Sequence, residues 1–156
     1  MRKVWIIAAL SMALSVSGLF AQRGTAEGTI NGKSITVEYG RPSLQGRDML
    51  SRLPVGSSWR MGMNAATTLD SEAALDFGDV TLAPGKYTLT AKRVSETDWH
   101  LIAAGDSGTH EIPLANLEGD GPVEVFTIWI NEKGSGKGQF GMAWGEMKVG
   151  ADFSVE

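Results

Sequence analysis

Gly28-Thr29-Ile30-Asn31-Gly32-Lys33-Ser34-Ile35-Thr36-Val37-Glu38-Tyr39 is the stretch that decides the fold. Asn-Gly tolerates the positive backbone angles of a two-residue hairpin turn, so Asn31-Gly32 predicts a reversal of the chain. After it Ile35, Val37 and Tyr39 alternate with Thr36 and Glu38. That period of two is the mark of a strand with one face buried.

The same grammar runs outward to the C-terminus. Thr67 to Leu69 and Ala74 to Phe77 read as strands, and Gly78-Asp79 closes the second. Val80 to Leu82 leads into the turn chemistry of Ala83-Pro84-Gly85, after which Tyr87, Leu89 and Ala91 alternate with Thr88, Thr90 and Lys92. Trp99 to Ala104 and Ile112 to Leu114 follow. Val123 to Ile130 is apolar on both faces and is expected to be a central, doubly covered strand. Phe140, Met142 and Trp144 alternate, Met147 and Val149 continue, Gly150-Ala151 is read as a turn, and Phe153 and Val155 finish the chain. Asp48 to Leu53 is read as a turn of helix ended by Pro54. No segment keeps a helical period for three turns. The expected fold is all-β, a single β-sandwich of roughly eight to ten mostly antiparallel strands.

The first 21 residues do not belong to that domain. Arg2 and Lys3 precede an apolar run from Val4 to Phe20, and Ala21 stands before Gln22. Charged start, apolar middle and small residue make a secretory signal peptide, broken by serines where a stable span needs about 20 apolar residues. The expected division is 1–21 leader and 22–156 domain, with the product secreted or periplasmic. The chain has no cysteine. That closes the acylated-lipoprotein route, a disulfide framework and a thiol nucleophile.

The 135 residues after Ala21 suffice for one core without staples. Two of the 14 basic residues and none of the 18 acidic ones lie in the leader, which leaves 12 against 18 and a formal charge of −6. That balance argues against nucleic acid, which is bound through Lys and Arg, and against an anionic membrane surface once the leader is removed.

Several motifs fail on inspection. Gly134-Ser135-Gly136-Lys137-Gly138 imitates part of a phosphate loop, but Asn131 and Gly138 stand where the pattern needs glycine and Ser or Thr. It reads as a hairpin loop. His100 and His110 are the only histidines, too few for an ordinary His-based metal site. Gly105-Asp106-Ser107-Gly108 and Glu118-Gly119-Asp120-Gly121 lack the spaced oxygen ligands of a calcium loop. No Gly-x-Ser-x-Gly elbow exists. No metal, cofactor or catalytic residue is assigned.

One polar stretch stands out. Tyr39, Arg41, Arg47, Arg52, Trp59, Arg60 and Asn64 fall close together in a chain that is otherwise acidic. Arginine offers a planar fork of donors that suits carboxylate or phosphate. Tyr39 and Trp59 could stack on a flat group, Arg41, Arg47 and Arg60 could pair with an anion, and Asn64 could orient it. The alternative is an internal clamp, with the guanidiniums tying loop carbonyls together.

At this stretch the chain resembles a known family. Tyr39-Gly40-Arg41-Pro42, Gly46-Arg47, Leu53-Pro54-Val55-Gly56 and Trp59-Arg60-Met61-Gly62-Met63-Asn64-Ala65-Ala66-Thr67 are similar to the blocks of the DUF2911 family. Leu82-Ala83-Pro84-Gly85-Lys86-Tyr87-Thr88-Leu89 and Trp99 extend the likeness over nearly the whole domain. Met63 stands where that family usually has alanine, Pro84 is inserted beside the turn glycine, and Val55 replaces a frequent aromatic. The resemblance implies export, a β-sandwich and no assigned activity.

The reading is therefore an exported, non-enzymatic domain binding a small molecule, a carbohydrate or an envelope protein. Its alternatives are a hydrolase or lyase acting on a cell-envelope or polysaccharide substrate, and a purely structural domain. For catalysis Glu38 is the nearest base, although alternation points it to the face opposite Tyr39. Mass spectrometry of the protein recovered outside the cytoplasm is expected to give a chain that begins at Gln22.

Overall fold

The computed structural model describes residues 23–156; the leader and its cleavage point lie outside the described residues. Twelve strands form one antiparallel sheet. They are β1 (Arg23–Ile30), β2 (Lys33–Gly40), β3 (Ser58–Trp59), β4 (Thr67–Ser71), β5 (Leu75–Asp76), β6 (Thr81–Leu82), β7 (Gly85–Arg93), β8 (Trp99–Gly105), β9 (Gly108–Asn116), β10 (Val123–Gly134), β11 (Lys137–Gly145) and β12 (Met147–Ser154). The hydrogen-bonded order is β1-β2-β4-β7-β8-β9-β12-β11-β10, with the two-residue strands β3, β5 and β6 off that path. Nine strands thus carry the expected all-β fold. Its two layers are continuous through β9, which pairs with β8 on one side and β12 on the other. The path curls until its first and last strands, β1 and β10, lie against each other.

Local chemistry explains the hairpins. Asn31 and Gly32 have φ of 51° and 72°, and the ladder of β1 and β2 begins directly at Ile30 and Lys33. Ser135 and Gly136 repeat this with φ of 55° and 73° between β10 and β11. Both turns meet the C-terminus. Asn31 Nδ2 donates to the Val155 carbonyl at 2.7 Å, and Val155 N–H donates to the Gly136 carbonyl at 2.7 Å. These bonds close one end of the molecule.

The inward positions fill the core. Ile35, Val37 and Tyr39 of β2, Leu89 and Ala91 of β7, Leu101 of β8, and Phe126, Ile128 and Ile130 of β10 are all buried. Small residues let the layers approach. A Cβ on Gly28 of β1 would collide with Ile130, and one on Gly138 of β11 with Ile30 and Phe153.

Three local expectations are corrected. β10 is the last strand of the path, and its outer residues Val125, Thr127 and Trp129 are half-buried rather than covered. β11 is the strand buried on both faces, because Trp129 lies across Gly141. Gly150-Ala151 is no turn. β12 runs straight through it, and Gly150 is small because the Phe140 carbonyl and Leu117 press on it. Asp48 to Leu53 is irregular, with a single turn at Ser51-Arg52 rather than helix.

Gly138→Ala is expected to destabilise the protein by about 1–3 kcal/mol, since the added methyl overpacks a closed core. Urea unfolding followed by tryptophan fluorescence measures it.

Candidate binding groove

The end of the barrel opposite the two glycine turns is covered by the connection between β2 and β4, residues 41–66. Its first residues complete the wall. Phe126 N–H donates to the Pro42 carbonyl at 3.0 Å, Leu44 N–H donates to the Glu124 carbonyl at 3.0 Å, and Ser43 bridges Val125. The chain thus leaves β2 at Gly40 and takes up the free edge of β10.

The six residues singled out in the sequence separate here. Tyr39 is buried, and its hydroxyl accepts the Ile128 N–H at 3.0 Å. Arg41 donates from Nε to the Phe126 carbonyl at 3.2 Å and from Nη2 to Thr127 Oγ1 at 3.1 Å, with its stem over Gly24. Both residues join β2 to β10. Trp59 stacks on Trp144 with ring centres 5.3 Å apart and meets Phe126 edge-on at 4.8 Å. Arg60 donates to the Asn64 carbonyl at 2.7 Å. Asn64 (φ 66°), Met61 (φ 56°) and Gly62 (φ 141°) make the tight bend that this bond closes. Gly62 packs on the Gly40 backbone, and Thr67 Oγ1 donates to the Met61 carbonyl at 2.6 Å. The Trp59-to-Thr67 block is thus a self-bonded loop seated on an aromatic cluster. Arg47 stands apart, exposed, with Nε donating to the Leu44 carbonyl at 3.4 Å.

Arg47 lines a groove of about 560 Å³. Four connections meet there: residues 44–51, the β7–β8 loop, the β9–β10 loop and the β11–β12 turn at Gly145 and Glu146. The apolar part comes from Leu44, Leu50, Trp99, Trp144, Pro122 and Met147. The polar part comes from Arg47, Asp48, Ser51, Arg93, Glu96, Thr97, Asn116, Glu124 and Glu146. Two smaller hollows lie elsewhere. One, about 360 Å³, separates β9 from β12, where the ladder spans only two residue pairs. The other, about 260 Å³, lies on the outer face of β2, β4 and β7 and holds Glu38, Asp70 and Glu72.

Arg93 organises the groove. Its Nη1 donates to the Leu53 carbonyl at 2.7 Å and reaches the Ser51 carbonyl at 3.3 Å. Its Nη2 donates to the Glu96 carbonyl at 3.1 Å and to Glu96 Oε2 at 3.2 Å. The Ser51 and Leu53 carbonyls thus take the guanidinium, while the Leu50 carbonyl accepts the Leu53 N–H at 3.1 Å. Nearby Asp48 accepts the Ser51 N–H at 3.2 Å. Hydrogen bonds from Ser51, with the Arg52 charge beyond them, hold the Asp48 carboxyl below its ordinary value. Glu124 Oε1 accepts the Gln45 N–H at 2.8 Å.

Sequence reading missed Arg93, although a signal was present. Arg93 continues the inward series Tyr87, Leu89, Ala91, and a charge in that register marks a buried ion. Glu124 and Glu146 carried no such signal. Trp99 and Trp144, read as core, are buried and also border the groove. Elsewhere His100 Nδ1 lies 2.8 Å from Glu111 Oε1, and His110 Nε2 lies 3.1 Å from Ser107 Oγ. Among the described residues no three His, Asp or Glu side chains are grouped to hold a metal ion.

Arg93→Met is expected to cost about 2–4 kcal/mol, because several carbonyls lose a charged donor at once. Faster amide exchange confined to residues 50–57 and 93–98 would trace the loss to this anchor.

Among known proteins, residues 21–153 match a family model described as a protein of unknown function (DUF2911). No curated protein and no solved structure matches the chain.

Proposed function

The chain belongs to the DUF2911 family, whose function is unknown, and on that premise we propose that it is an exported, non-enzymatic domain whose ligand seat is the groove at the barrel mouth. The observation that carries this reading is the groove's make-up. About 560 Å³ of space with apolar and aromatic walls and a few fixed polar groups is the usual form of a small-molecule site. The site differs from the arginine cluster first considered. Arg47 contributes directly, and Trp59 contributes by backing Trp144. Tyr39, Arg41, Arg60 and Asn64 serve the walls and the loop that shape the mouth.

Binding is favoured over catalysis because Glu38, the base nearest the arginine stretch in sequence, stands on the outer face of β2, away from the groove. A small molecule is favoured over a carbohydrate held by ring stacking, because Trp59 and Trp144 spend a face on each other. Export rests on residues 1–21, and a secreted or periplasmic setting goes with it.

Thr97 lies on the rim and is exposed. Thr97→Trp is expected to fill the mouth while leaving the melting temperature within about 2 °C, as for an exposed loop change. Small-molecule hits from a thermal-shift screen of the protein should lose their stabilising effect in this variant. Hits that persist unchanged would place binding elsewhere.

A further inference from the structure

Resting on the groove as the ligand seat, we infer that its ligand is a small organic cation: an apolar body bearing a protonated amine or guanidinium. The charges bordering the groove are Asp48, Glu96, Glu124 and Glu146 against Arg47 and Arg93. Four carboxylates face two guanidiniums, and one of the two is already spent. Arg93 is bonded to Glu96 and to the carbonyls of residues 51, 53 and 96. With that pair set aside, three carboxylates remain against Arg47. Two of them are pinned by backbone N–H groups, Asp48 by Ser51 and Glu124 by Gln45. Glu146 has no hydrogen-bond or ion-pair partner among the described residues. A groove of this charge attracts cations and repels anions.

The aromatic and aliphatic wall of Trp99, Leu50 and Met147 takes the ligand's apolar body.

The test is an amide-NMR titration of the protein at pH 6 with three probes that share one ring and one carbonyl. They are phenylalanine amide, a cation there because α-amines titrate near about 7.7–8.0, the neutral N-acetylphenylalanine amide, and the anionic N-acetylphenylalanine. The expected result is shifts at Trp99, Trp144 and Glu146, with the cation binding about three- to tenfold tighter than the neutral probe and the anion weakest. Added salt should shrink that preference. In Glu124→Gln/Glu146→Gln, which keeps the acceptor for Gln45, the preference should fall by at least about half. Equal binding of all three probes in the groove would overturn the charge assignment and leave the binding site standing. Tightest binding of the anion would overturn it in favour of Arg47, as would a preference untouched by the double variant. Should that variant not fold, the salt dependence of the unaltered protein decides the point. Absence of groove shifts with every probe would overturn the groove as a ligand seat.

Discussion

The fold depends on how the sheet is sealed where hydrogen-bonded pairing runs out. β1 and β10 touch but share no ladder, and unpaired strand edges invite association with other chains. The seal is made by side chains and by a change of partner. Tyr39 and Arg41 bond to β10 backbone and to Thr127, and the segment from Pro42 to Leu44 then lies along β10 itself. Gly24 and Gly28 give Arg41 and Ile130 the room to cross the seam. The loop that follows is fixed at its root by this closure, and only then can it form a mouth.

Above the seam, stacked aromatics and guanidiniums bonded to loop carbonyls hold the structure. Tyr39, Phe126, Trp59 and Trp144 form a chain of ring contacts from the core to the loop. Such contacts add about 0.5–1.5 kcal/mol per pair beyond buried area. Arg60 and Arg93 hold backbone carbonyls that have no strand partner. A loop of this length would ordinarily be the least stable part of the domain. Here it is cross-linked at several points.

What the sequence made legible was whatever is decided locally. Asn31-Gly32 needs only its own backbone preferences to turn, and Tyr87, Leu89 and Ala91 need only one buried face. What it hid was decided across the sheet. The apolar outer face of Val123 to Ile130 looked central, yet β10 ends the path and its Trp129 instead covers Gly141 of β11. Gly150 looked like a turn because glycine serves both tight turns and close backbone contacts. The arginines were legible as a cluster, but the target of each guanidinium was not. Arg41 finds Phe126 and Arg93 finds Leu53, partners 85 and 40 residues away. The groove's carboxylates come from separate segments, so no stretch of sequence displays them together.

The chain's two described ends lie at opposite poles. Arg23 begins β1 beside the mouth and donates to the Ala65 carbonyl, whereas Val155 is tied among the two glycine turns at the far end. Attachment through the C-terminus, to a bead, a sensor chip or a fused carrier, therefore presents the groove outward. Attachment through residue 23 would crowd the covering loop.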